Sequence, residues 1–262
     1  MKLLTFNTHS LIDEGYEKKI DIFVNAILEH TPDVIALQEV MQTVGAREIS
    51  PNCLLSSNIV VKEDNFAWRA LKKLNSHKQN YRGVYLGIKY AYGAYDEGIS
   101  IITNGEINAT DIIQLTEFND YTNWKTRFAL GVQIDGSWFY SLHFNWWDDE
   151  ISPFFSEWKS FQESLGSKKN VWLMGDFNIT PSSDGYRLVT EKFFDTYILA
   201  KEIDNGITVN SSIDGWEKDS SKKRIDYIFT DKNVEIKSSK TVFNGKSEEI
   251  ISDHFGIIVE KE

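Results

Sequence analysis

Short, continuous apolar runs recur along this chain, and they restrict its fold more than any other feature. Leu3-Leu4-Thr5-Phe6, Val34-Ile35-Ala36-Leu37 and Val171-Trp172-Leu173-Met174 are too short for buried helices. They also lack polar alternation, which suits strands covered on both faces. Further strand-like segments fall at 82–89, 97–103, 106–115, 127–134, 137–143, 224–230, 233–237 and 252–259, punctuated by Gly, Asn and Asp as sheet turns require. Other stretches keep helical spacing. Tyr16, Ile20, Phe23, Val24, Ile27 and Leu28 share one face, and Pro32 closes that helix because the residue before a proline is driven out of the α region. Ala67, Ala70, Leu71 and Leu74 mark a second helix. Ser152-Pro153 opens another with Pro at the first helical position; Phe154, Trp158, Phe161 and Leu165 form its apolar face and Gly166 its stop,.

A chain of 262 residues holds one large domain or two small ones,. No linker rich in Pro, Gly or Ser interrupts it, and the polar, loop-like 200–223 segment lies between strands. The expectation is a single α+β domain over 1–262, with two packed sheets and helices outside them. One cysteine, Cys53, excludes an intrachain disulfide and a Cys-rich zinc cluster,. The opening MKLLTFNTHS carries too short an apolar run for a signal sequence, and no run approaches the roughly 20 residues of a membrane helix. A cytoplasmic protein without membrane contact is therefore expected. The balance of 39 acidic against 28 basic residues, a formal charge of −11, repels phosphate backbones. Nucleic acid is thus not expected as a partner, although a local basic pocket is permitted. No obligate protein partner is evident.

Polar residues gather at the ends of the apolar runs, where a sheet presents a site. Asn7 follows the first run, Gln38-Glu39 the second and His143 the 137–143 segment. Asp176 and Asn178 follow Val171–Met174, Asp226 sits within Arg224-Ile225-Asp226-Tyr227-Ile228, and Ser252-Asp253-His254 opens the last segment. One such residue alone is ordinarily a cap or a turn. Asp226 stands out, because a carboxylate between isoleucines is costly to bury without a partner.

Thr5-Phe6-Asn7, Gln38-Glu39, Gly175-Asp176-Phe177-Asn178, Arg224-Ile225-Asp226-Tyr227 and Ser252-Asp253-His254 together resemble the ordered motifs of the endonuclease/exonuclease/phosphatase superfamily. The resemblance spans nearly the whole chain. It implies a four-layer α/β/β/α sandwich of the deoxyribonuclease I type and Mg²⁺- or Mn²⁺-dependent cleavage of a phosphoester. Carried onto this sequence, it makes Glu39 the chief metal ligand, with Asn7 assisting through its amide oxygen and Asp253 completing the site, in keeping with the preference of Mg²⁺ for oxygen donors. Asp176 would activate water and Asn178 donate to the phosphate. His254 would donate to a phosphoryl or leaving oxygen, held in its tautomer by Asp226. His143 would pair with Glu97, and His9 would face substrate. His30 and His77 close helices, where a cation is favourable without chemistry.

The superfamily cleaves nucleic acids, lipids and small phosphates, so the fold does not choose the substrate. Aromatic residues do more. Asn123-Trp124-Lys125-Thr126-Arg127 sets a Trp beside two cations, Trp146-Trp147 follow His143, and Gly215-Trp216 lie in the polar loop. Flat rings beside acids and amides suit a sugar, and Arg127 or Lys125 suits its phosphate. These segments, with Tyr95–Ser100 and Ile213–Trp216, are similar to the maltose 6′-phosphate phosphatase branch, from which the chain departs at Phe144-Asn145, where that branch carries Leu-Gly. The resemblance implies a phosphorylated sugar as substrate, with a metal-dependent DNA endonuclease or exonuclease as the alternative. Arg47 and Cys53, in the 40–62 segment, receive no role.

Overall fold

The computed structural model describes every residue except 13, 57, 212, 214, 215 and 217–219. Asp214 and Gly215, part of the Ile213–Trp216 motif, thus lie outside the described residues. The elements run β1 (Lys2–Asn7), α1 (Tyr16–His30), β2 (Val34–Thr43), β3 (Leu54–Ser56), α2 (Phe66–Ser76), β4 (Arg82–Ala91), β5 (Tyr95–Thr103), β6 (Ala109–Gln114), β7 (Phe128–Ile134) and β8 (Ser137–His143). They continue with α3 (Phe154–Leu165), β9 (Val171–Asp176), α4 (Asp184–Thr190), β10 (Phe194–Asp195), α5 (Thr196–Leu199), β11 (Ala200–Ile203), β12 (Asp226–Thr230), β13 (Ile236–Val242) and β14 (Gly256–Lys261).

The strands form two mixed sheets. The larger is ordered β11-β13-β14-β1-β2-β5-β4-β3 and the smaller β10-β12-β9-β8-β7-β6. Successive strand side chains point to opposite faces, and the cores divide accordingly. Leu4, Phe6, Ile35 and Leu37 pack outward against Ile20 and Phe23 of α1 and Phe66 and Leu71 of α2. Leu3, Val34 and Ala36 turn the other way and meet Leu130, Trp172, Met174 and Ile228 of the second sheet. Behind that sheet, Leu142, Leu173 and Phe229 meet Phe154, Trp158 and Phe161 of α3. Three apolar interfaces between four layers make an α/β/β/α sandwich of the deoxyribonuclease I type. Trp158 is only 1% exposed, and truncating a ring buried this way ordinarily costs about 3–5 kcal/mol.

Several boundaries differ from expectation. The Val34–Leu37 run is the first part of a strand reaching Thr43, so residues 40–43 of the unassigned segment belong to it. Pro153 is the cap before α3 rather than its first residue. The polar 200–223 segment contains β11, which pairs with β13 at the sheet edge, where one face needs no apolar cover. The last strands start later than expected, at Asp226, Ile236 and Gly256, leaving residues 252–254 in the loop that enters β14. His30 ends α1 but also bonds Glu248 at 2.7 Å, so its place involves an ion-pair partner as well as the helix end. No helix is long and apolar enough to cross a membrane, among the described residues.

Candidate active site

Strand parity carries several polar residues to the space between the sheets. In β9, Trp172 and Met174 face inward, so Asp176 does too. In β12 Ile228 faces inward and places Asp226 beside Asp176, its direct partner across the two strands. His143 neighbours Asp176 from the other side, in β8. Gly175 makes this close approach possible. At φ +153° a Cβ there would sit 1.9 Å from the Leu142 carbonyl oxygen, so a side chain would force the strands apart.

Glu39 breaks the parity. Following Leu37 by two residues, it would point to the helix side. An extra residue in β2 shifts its pairing with β5 between Leu37 and Val40, and Glu39 adopts a left-handed backbone at φ +50°. This bulge turns the carboxylate into the inter-sheet space. The Thr8 hydroxyl donates to the Glu39 carbonyl at 2.9 Å and holds the bulge. Asn7 then joins two acids, since its amide nitrogen donates to Glu39 Oε1 at 2.9 Å and to Asp176 Oδ2 at 3.2 Å. Its amide oxygen accepts from the His9 backbone at 3.3 Å, so Asn7 offers the carboxylates its nitrogen, and the expected ligand oxygen is engaged elsewhere.

Two imidazoles flank Asp176. His143 Nε2 and His254 Nε2 each lie 3.7 Å from Asp176 Oδ2, while His254 Nδ1 is 2.9 Å from Asp226 Oδ2. Burial alone would depress the His254 pKa, but Asp226 and Asp176 outweigh it and hold the ring well above its ordinary value. His143 goes the other way: burial, then Arg127, Lys89 and His254, push it well below. Burial raises Asp176 to about 7, with Asp226 and Glu39 adding to the rise and His254 opposing it. The Asn178 backbone donates to Asp176 Oδ1 at 2.9 Å. The Asn178 side chain donates to the Phe144 carbonyl at 2.9 Å and accepts from Trp216 Nε1 at 3.2 Å.

The residues present suit a divalent cation. Glu39 Oε2 is buried without a hydrogen-bond partner among the described residues. Burial, Glu97 and Asp253 raise the Glu39 pKa and outweigh the opposing effects of His9 and Asn7, which marks a carboxylate short of counter-charge,. Asp253 approaches His9 Nδ1 at 3.8 Å. Asp176, Asp226 and His254 also lie close enough together to hold an ion, but the His254–Asp226 hydrogen bond already occupies two of those groups.

A cavity of about 260 Å³ opens above these groups, lined by His9, Glu39, Glu97, His143, Asp176, Asn178, Asp253 and His254 and walled by Lys89, Tyr90, Tyr92, Trp124, Arg127 and Trp146. The expected substrate residues separate here. Trp124, Trp146, Arg127 and His9 reach the cavity; Trp147 and Trp216 do not line it. Trp147 instead packs on Phe154, at 6.3 Å between ring centres. Lys125 is buried, bonded to Asp149 and held 4.1 and 4.3 Å from the ring centres of Trp124 and Trp146. It braces the indoles and does not line the cavity. Glu97 pairs with Lys89 at 3.0 Å rather than with His143. Lys89 was missed; the available signal was a charge inside the Gly87–Ala91 strand run. Glu157 was missed too. From α3 it accepts from the Asn145 backbone and side chain at 2.9 and 2.6 Å and anchors the Trp146 loop.

The endonuclease/exonuclease/phosphatase family model matches residues 4–254. This chain belongs to that family. A family protein from Leptotrichia buccalis C-1013-b shares 34% identity with it at a TM-score of 0.86, covering 100% of this chain and 99% of that one. The mannosyl-6-phosphatase Bt3783 of Bacteroides thetaiotaomicron VPI-5482 is 18% identical at a TM-score of 0.69, covering 99% and 98%. A 3′ phosphatase from Neisseria bound to product DNA hairpin is 16% identical at 0.68, covering 100% and 99%. These last two share the fold. A search of curated proteins gave no match.

Proposed function

We propose that this family member is a Mg²⁺-dependent phosphomonoesterase of phosphorylated sugars, with Mn²⁺ an acceptable substitute. One observation carries the reading: a single small cavity joins the acids and imidazoles of the strand ends to an indole wall. An indole pair beside amides and charged groups matches the apolar face and hydroxyl rim of a sugar ring. The small cavity and the −11 charge favour a compact ester over a nucleic-acid duplex,.

Glu39 would hold the cation, with Asp253 beside it and Asn7 setting the spacing to Asp176. When bound, the cation neutralises charge on the phosphoryl and leaving oxygens. Asp176, raised toward neutrality by burial, takes a proton from the attacking water while the new P–O bond forms. His254, an imidazolium held by Asp226, donates from Nε2 to a phosphoryl oxygen and stabilises the charge gathering there. The sugar oxygen leaves and is protonated by solvent. Trp124, 54% exposed at the cavity wall, offers a ring to sugar reaching out of the cavity, and the foremost candidate is a disaccharide phosphate such as maltose 6′-phosphate, hydrolysed in the cytoplasm to maltose and phosphate.

The test is phosphate release across maltose 6′-phosphate, a mannosyl 6-phosphate, nucleotides and DNA, with Mg²⁺ and with EDTA. Release from a sugar phosphate that EDTA abolishes is expected. Cleavage of DNA with no release from any sugar phosphate would replace this reading with a nuclease.

A further inference from the structure

Lys89 and Arg127 come from distant parts of the chain to one wall of the cavity. The register of β4 against β5 shifts between Gly87 and Lys89, and after this bulge Lys89 stands opposite Glu97. Both cations are deeply buried, at 5% and 4% exposure. Lys89 Nζ uses one hydrogen on Glu97 Oε1 at 3.0 Å and a second on the Trp124 carbonyl at 2.8 Å. Arg127 Nη1 donates to that same carbonyl at 2.9 Å and to the Thr126 carbonyl at 3.2 Å. Two like charges therefore share one neutral acceptor. Glu97 pairs directly with Lys89, Glu157 and Glu39 act on the two cations from further away, and Arg127 Nε is buried without a partner among the described residues. Burial and Arg127 accordingly bring Lys89 down to about 8. An anion between the two would relieve both the repulsion and the unmet donors.

We propose that Lys89 and Arg127 form an anion subsite that takes the non-bridging oxygens of a terminal phosphate and thereby selects dianionic monoesters over diesters. The proposal rests on the phosphatase reading and deepens it. A monoester offers two charges and unsubstituted oxygens to two cations; a diester offers one charge and a second ester arm. His143, held neutral beside the same cations, adds no third charge and serves as a polar neighbour.

The experiment uses the full chain with Mg²⁺ and titrates inorganic phosphate, then dimethyl phosphate, by calorimetry at pH 8. Wild type is expected to bind inorganic phosphate at least about tenfold more tightly than dimethyl phosphate. Lys89→Met alone would strand Glu97, so the variants are Lys89→Met/Glu97→Gln and Arg127→Met. Each is expected to weaken inorganic phosphate roughly 10–100-fold, the scale of a lost charge-assisted hydrogen bond, and to leave dimethyl phosphate within about threefold. Wild type binding the two anions alike, or variants that keep the wild-type affinity, overturns the subsite. Should the variants not fold, the wild-type comparison still decides it. Phosphate binding that depends on Lys89 without any sugar-phosphate hydrolysis would keep the subsite and discard the phosphatase. Hydrolysis with no Lys89 or Arg127 dependence would do the reverse.

Discussion

The two sides of the cavity contain similar parts in opposite electrostatic settings. On one side, His254 lies among Asp226, Asp176 and Asp253; on the other, His143 faces Lys89 and Arg127. Both rings are buried and both stand 3.7 Å from the same Asp176 oxygen. Yet one is held charged and the other neutral. Desolvation acts against the charged form in both and Asp176 is common to both, so the remaining charges around each ring decide,. An imidazole's role is thus set by which strands bring it company.

The strongest way to break the comparison is to remove its acids. Asp176→Asn is expected to lower kcat about 10²–10⁴-fold, the range of a lost base, and Asp226→Asn about 10²-fold, measured by phosphate release. Asp226→Asn should also move His254 back toward the ordinary imidazole range of about 6.5 in an NMR titration. The sign follows from linkage: a histidine raised in the fold contributes stability fully below its unfolded pKa and loses it as pH climbs through the folded value. The variant brings that loss to lower pH. An unmoved His254 titration would show that Asp226 does not hold the cation.

A smaller effect concerns the uncompensated acid. Because Glu39 is raised in the fold, the folded state binds the extra proton, and stability falls as pH rises through the window between its unfolded and folded values. A Mg²⁺ bound at Glu39 would reverse that cost. Its thermal stabilisation should grow from acid to neutral pH, reaching about 2.7 kcal/mol at a hundredfold excess over Kd. Glu39→Gln should remove it. A Mg²⁺-induced shift in melting that survives Glu39→Gln would place the cation elsewhere. The smallest effect sharpens the wall: Trp146→Ala should raise KM for the sugar phosphate about tenfold, near 1.4 kcal/mol, and Lys125→Met about threefold, both sparing kcat on a small aryl phosphate. Equal losses on both substrates would deny the indoles a role in sugar binding.

The strand ends were legible because a continuous apolar run needs no partner to be read as a buried strand, and Asp176 follows one such run while Asp226 sits within another. Helix faces were legible for the same reason, as Phe23 and Trp158 show. Glu39 was legible from its place after the second run and its motif but not from parity, and Lys89 was not legible at all, since each reaches the cavity through a bulge that reverses parity. Lys125 and Arg127 illustrate another limit. Two residues apart in a polar segment, they look alike as phosphate anchors, but Asp149 takes the first and leaves the second on the cavity. The pairing expected between His143 and Glu97 failed similarly, because Lys89 reaches the carboxylate.

The amino-acid order by itself determined the sandwich class, the acids at the strand ends and the ordered motifs, because apolar runs, helical spacing and motif identity are local properties. Which charge meets which was decided only when the two sheets closed on one another. Electrostatic company falls off over a few ångströms in space and takes no account of distance along the chain, so Asn7, Glu39, Asp176 and His254 acquired their states from neighbours that sequence alone does not place.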